Sequence, residues 1–154
     1  MADSVRPQAR SRRWPAYALA VLFLGYAAGK AVFALQARLG FPGGPPVSAA
    51  ETAGYFMDAA VGQWLASASG LLAACVAVAT VTASGRRVPR GLMVFVLGVL
   101  LLAVIGGGGT MALDAFVGIG VGWQWYHGVL GAVAIGLSLE MVRSYVVRTR
   151  RGVA

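Results

Sequence analysis

Lys30, Asp58, Asp114 and His127 are the side chains of this sequence whose types could carry acid–base or ligand chemistry, and all four fall toward the ends of long apolar stretches. A lysine with carboxylates and one imidazole is the raw material of a proton relay, an anion site or a general base. Trp123-Gln124-Trp125-Tyr126-His127 sets three aromatic rings beside the histidine, the pattern of an interfacial belt. His127 is the only histidine. One histidine cannot build a metal or bis-histidine haem centre within a single chain. As a base it needs a nucleophile and an orienting group. No catalytic, cofactor-binding or metal-binding set is complete, so Lys30, Asp58, Asp114, Trp123 and His127 are read together as a candidate polar cluster. His127 alone is read as a helix-end side chain facing headgroups or solvent. Lys30 lies about two turns inside its stretch, so it is expected to snorkel. Its candidate ion-pair partners are Asp58 and Asp114, with Glu51 and Arg38 nearby.

The elements that must position these residues follow from composition. The 154 residues are 58% hydrophobic and only 12% charged, with a net charge of +8. A soluble domain carries about 25% charged residues, so an ordinary soluble enzyme is excluded. Nucleic-acid binding is disfavoured because the positive charge is split among three short segments. Four segments reach the ~20 apolar residues that a membrane helix needs, over 15–36, 58–83, 91–113 and 123–147. Each is apolar all round, as expected when lipid and neighbouring helices cover every face. The predicted fold is therefore all-α, an integral membrane four-helix bundle. Basic tails cover 1–14 and 148–154, and an outer loop covers 39–57.

Eleven of the thirteen basic residues lie in the N-terminal tail, the 86–90 loop and the C-terminal end. That asymmetry predicts both termini inside, in the plasma (inner) membrane. A twin-arginine signal at Ser11-Arg12-Arg13 is set aside because Trp14-Pro15 follows and three more spans come after. A cleaved leader is set aside because the first span carries Lys30 and lacks a cleavage site. The arginine clusters are suited to anionic lipid headgroups.

Ser48-Ala49-Ala50-Glu51 matches a capping box, so a helix begins near Ala49. Continued to Ala83 it would be about 50 Å long, so it either projects from the bilayer or breaks near Gly54. Gly106-Gly107-Gly108-Gly109 marks either a hinge or a close helix contact, and the contact is the simpler reading. Gly25 and Gly29, and Gly128, Ala132 and Gly136, recur every four residues and are expected to pack helices within or between chains. That face would turn Gln124 and Glu140 inward. Glu140 is expected to pair with Arg143 or with the Arg86-Arg87-Arg90 loop, a reading preferred to a coupling carboxylate for ion exchange. Cys75, the only cysteine, excludes an intrachain disulfide and is read as a small buried hydrophobe.

Ser84-Gly85-Arg86-Arg87-Val88-Pro89-Arg90 resembles the inside turn of an uncharacterised family of small four-helix membrane proteins of actinobacteria. In that family such a turn precedes a glycine-rich third span. Arg86, Arg87, Pro89 and Arg90 match the turn, and Gly98 and Gly106 fall in the corresponding span. The region from Tyr26 to Gly40 is loosely similar too. The resemblance implies the same four-span layout and brings no catalytic residues. The expected function is a non-enzymatic accessory, scaffold or lipid- or ligand-binding component. The alternative is an intramembrane enzyme or small transporter with an outer-side pocket around Lys30, Asp58, Asp114 and His127.

Overall fold

The computed structural model describes residues 12–150. It is all-helical: α1 (Trp14–Leu35), α2 (Ala49–Ala53), α3 (Ala59–Ala79), a 3-10 turn (Ser84–Arg87), α4 (Arg90–Val117) and α5 (Trp125–Arg150). Four of these helices are long and apolar enough to cross a membrane. The bundle presents large apolar side chains outward along all four, among them Leu35 at 77%, Leu72 at 66%, Phe95 at 68% and Leu102 at 71% exposure. A surface of that kind suits lipid and not water, and the chain has the build of a multi-pass membrane protein.

Local chemistry sets the helix ends. Pro15 opens α1, where its missing N–H removes nothing the helix needs. The Ser48–Glu51 capping box is present and starts α2. The helix stops at Ala53, with Gly54 as its C-cap, and α3 starts afresh at Ala59. The break near Gly54 therefore occurs, and the projecting helix does not. α4 runs unbroken through all four consecutive glycines. At 28 residues it is about 42 Å long and exceeds the ~30 Å hydrocarbon core. The expected end of this span at 113 falls one turn short, because Gly118, in the left-handed region at φ 80°, is the true stop.

The helices pair as two antiparallel hairpins, α1 with α3 and α4 with α5, joined where α1 runs against α5. Glycine makes both hairpins close. A Cβ on Gly70 of α3 would come within 2.8 Å of the Tyr26 ring and 3.2 Å of the Phe23 carbonyl of α1. Nearby, the buried Ser67 hydroxyl donates to the Ala27 carbonyl across the same seam at 2.9 Å. In the other hairpin Gly108 and Gly131 meet backbone to backbone. All four long helices contribute to one core near the arginine-rich end, around Leu19, Ala77, Leu97 and Met141.

The glycine run at 106–109 thus packs through Gly108, while Gly106, Gly107 and Gly109 face open space. The four-residue stripes need correction. Gly128 is tight against Ala115 and Phe116, but Gly136 and Gly25 have nothing within 4 Å of a built Cβ. Ala132 is exposed, and so is Gln124. The α5 contact face runs instead through Gly128, Gly131, Ser138 and Met141. Alternating steps of three and four keep one face of a 3.6-residue helix, whereas steps of four drift off it. Cys75 is exposed, contrary to the expected burial, because it sits beside Ala74, which takes the core position.

We expect Gly131→Ala to lower the melting temperature of the purified protein in detergent. Its Cβ would lie 2.4 Å from the Gly108 carbonyl oxygen and force the hairpin apart, an overpacking cost of about 1–3 kcal/mol. Gly107→Ala, one residue from that contact, should be neutral or raise stability by up to about 1 kcal/mol through helix propensity. Equal effects from the two changes would refute the packing assignment.

Candidate functional site

The polar residues cluster at the end of the bundle opposite the arginines, where two loops fold back onto the helices. α1 ends in a Schellman turn: Ala37 N–H donates to the Ala34 carbonyl and Arg38 N–H to the Phe33 carbonyl. Ala37 takes the left-handed position, φ 48°, that glycine usually fills. The next carbonyls, of Arg38 and Gly40, point back toward the helices. Gln63 of α3, 3% exposed, donates its side-chain amide to both at 3.0 Å. Lys30 donates its ammonium to the same Gly40 oxygen at 3.0 Å. That carbonyl thus has both lone pairs filled, by Lys30 and Gln63. The Lys30 nitrogen also lies 5.7 Å from the Tyr26 ring centroid and 5.9 Å from that of Phe41, within cation–π range. The two rings stack on each other at 5.9 Å. Gly29 makes room for Phe41, since a Cβ there would come within 2.8 Å of the ring.

The second loop is built on an alternation. Gly118, Gly120 and Gly122 all take positive φ, at 80°, 90° and 94°. Such a repeat turns successive backbone N–H groups inward and makes an anion-binding nest. The anion is the chain's own: buried Asp114 accepts from Val121 N–H at 2.8 Å and from Trp123 N–H at 2.6 Å. Trp123 then packs its ring edge-on against His127, centroids 4.9 Å apart, and against Gly44 of the first loop. Tyr126 lies 4.2 Å from the His127 ring and donates a long 3.4 Å hydrogen bond to the Gly43 carbonyl.

His127 is 4% exposed, not turned toward headgroups or solvent, because the first loop closes over it at Gly43. Its Nδ1 is sealed and has no partner among the described residues. Asp114, Trp123 and His127 are therefore brought together. Lys30 is not ion-paired: among the described residues the one salt bridge is Arg143–Glu140, at 3.2 Å. Asp58 is exposed and caps α3 through Val61 N–H. The physical reason is local geometry. A backbone carbonyl for Lys30, and backbone N–H groups for Asp58 and Asp114, lie within ten residues along the chain and are reached before any distant charge. Chemically, the cluster holds two loops in place. No set of three His, Cys, Asp or Glu among the described residues could hold a metal. The depression at this end, lined by Arg38, Val47, Ala49, Thr52 and Ala53, does not include Lys30, Asp114 or His127.

Gln63 and Ser67 are the structural polar residues that charge-based reading passes over. Their signal was present, since an uncharged hydrogen-bonding residue mid-span must also find a partner. Glu140 behaves as expected and bonds Arg143 and Ser144. Glu51, outside the spans, accepts from the Ser48 hydroxyl and backbone N–H, and those bonds hold its carboxyl below the ordinary carboxylate range.

A depressed carboxyl favours the folded cap above its unfolded pKa of about 4.3 and loses that contribution as pH falls through the folded value. We expect the Glu51 and Thr52 amide shifts in micelles to lose their helical position below about pH 4; Glu51→Gln should lack this transition, and its persistence in that variant would refute the cap. Lys30→Met and Gln63→Leu should each lower stability in detergent by about 1–2 kcal/mol. Their effects should not add, because both bond Gly40. Asp114→Ala should cost more than Asp114→Asn, since an amide oxygen still accepts one of the two N–H groups. Additive losses, or equal Asp114 variants, would contradict this account.

The chain matches no protein-family model, and no curated protein or solved structure is similar to it; its function has to be argued from these residues.

Proposed function

We propose that this protein is a non-enzymatic component of the plasma (inner) membrane, an accessory or scaffold with both termini cytoplasmic. One observation carries the reading. At the loop end, Lys30, Asp58 and Asp114 are each committed to backbone groups nearby, and His127, whose Nδ1 has no partner among the described residues, is sealed under the first loop at 4% exposure. An enzyme or coupled transporter needs an acid–base group that is free to change partners during its cycle. A group that satisfies a backbone donor or acceptor gives up the charge assistance of that bond when it titrates, which costs about 1 kcal/mol. The arrangement suits a fixed surface presented to something else. Candidates are anionic lipids at the arginine clusters, and a second copy or a different membrane protein on the outward-facing apolar helices. The orientation rests on the exposed Arg86, Arg87 and Arg90 between α3 and α4, on the same end as Arg12 and Arg13.

Two measurements test this. With Cys75→Ser as background, Ala50→Cys should label with an impermeant maleimide in intact cells, and Ala83→Cys only after permeabilisation; the reverse pattern would overturn the orientation. Lys30→Met should change melting temperature while leaving any cellular phenotype of the gene in proportion to the folded protein remaining. A variant that is fully folded and abundant yet inert would instead favour the pocket reading around Lys30, Asp114 and His127.

A further inference from the structure

The basic end differs from the loop end in that its charges are not internally satisfied. Arg148 of α5 donates to the Thr80 carbonyl at the C-cap of α3. Arg86 lies in the 3-10 turn that follows this C-cap, and Arg13 stands at the N-cap of α1, which packs against both α3 and α5. The ion pair of Glu140 goes to Arg143 instead, so no carboxylate among the described residues pairs with Arg13, Arg86 or Arg148. The C-terminal dipole of α3 supplies roughly half a negative charge, too little to offset three guanidiniums.

An open groove of about 460 Å³ runs along the α1/α3 seam toward the 3-10 turn. It is lined by Leu24 of α1 and by Leu71, Cys75 and Val78 of α3, and it ends at the hydroxyls of Thr82 and Ser84. Ser84 opens the 3-10 turn that carries Arg86. From Leu71 to Ala79, α3 rises about 12 Å, most of the roughly 15 Å depth of one leaflet's hydrocarbon. The groove therefore grades from apolar at mid-membrane to hydroxyl at the surface, with Arg86 two residues beyond Ser84.

We propose that this groove binds one anionic phospholipid, with an acyl chain along Leu71, Cys75 and Val78 and the phosphate on Arg13 and Arg86. The assignment deepens the scaffold reading and rests on its membrane placement. A helix from a second copy would also fit a floor of small residues. Charge decides against it, since a symmetric partner would bring a second arginine cluster beside the first. A phospholipid brings both the chain and the neutralising anion. Exposed Cys75 has no internal role in this structure, and in the groove its small side chain leaves width for the chain.

The experiment uses the full chain in detergent, titrated with phosphatidylglycerol or phosphatidylcholine of identical acyl chains, with bound lipid counted by native mass spectrometry. Phosphatidylglycerol should bind the tighter. Arg13→Gln with Arg86→Gln should weaken it about 30-fold, the factor for two charges at about 1 kcal/mol each, and weaken phosphatidylcholine, whose choline already offsets its phosphate, much less. Cys75→Trp should fill the groove and weaken both lipids. A phosphatidylglycerol with a mid-chain diazirine should crosslink wild-type protein within residues 71–82, which needs no variant to fold. Equal retention of the two lipids, crosslinks elsewhere, or Cys75–Cys75 crosslinking that lipid does not suppress would each overturn the proposal. The Ala50→Cys and Ala83→Cys labelling is independent. If it holds while headgroup selectivity is absent, the lipid site alone fails; if it inverts, the membrane placement fails with it.

Discussion

A backbone carbonyl or N–H removed from water must find a partner, and at the loop end of this bundle that requirement explains nearly every polar side chain. The spans satisfy their own backbone by being helices. The two loops that fold back between them cannot. The Gly40 and Arg38 carbonyls are met by Lys30 and Gln63, and the Val121 and Trp123 N–H groups by Asp114. A lysine supplies donors only and a carboxylate acceptors only. Lys30 therefore lies under carbonyls and Asp114 under N–H groups. Once the loops are fixed, Phe41, Gly43 and Gly44 are held over Tyr26, His127 and Trp123, which closes the end of the bundle.

Along the spans a different term dominates. Lipid tails are as apolar as leucine, so burial of leucine against a neighbouring helix offers little drive for association. Close approach and dispersion must do it, and close approach needs small residues. The seams of this bundle comply: Gly70 and Ala27 in one hairpin, Gly108 and Gly131 in the other. Large side chains are turned outward, where lipid covers them. A glycine weakens an isolated helix, yet α4 stays continuous over four of them, because a helix at membrane depth has no water with which to exchange its hydrogen bonds.

These same two rules fix what was legible in the sequence. The four spans, the Pro15 start and the Ser48–Glu51 box are local signals, read from hydropathy and from neighbours a few residues apart. The Glu140–Arg143 pair is local in the same way. The partner of Lys30 is not legible, because a lysine points to carboxylates by residue type and a backbone carbonyl has no residue type. Gly118-x-Gly120-x-Gly122 is visible as a pattern, but only the positive φ values make it a nest, and only the fold puts Asp114 inside it. The failure of the four-residue stripes is geometric. Gly25, Ala132 and Gly136 are small by composition, and smallness permits contact without requiring it. Burial of His127 depended on a loop more than eighty residues upstream, a relation no local pattern carries.

The distribution of satisfied and unsatisfied charge then reverses the emphasis that the sequence suggested. Residue types drew attention to the loop end, where one lysine, two aspartates and the histidine gather. The structure gives most of those groups internal partners, so their chemistry is used up in holding the fold. Arginines at the other end look routine, since an excess of them marks the inside loops of membrane proteins generally. Yet topology asks only that they be there. It does not ask that Arg148 reach the C-cap of α3, beside the turn that carries Arg86 and at the end where α1 begins with Arg13, with no acid among the described residues to pair with them. Like charges held together cost free energy unless an anion outside the chain offsets them. In a protein whose other charged groups at the loop end are held by backbone partners, the unmatched arginines indicate where it meets its surroundings.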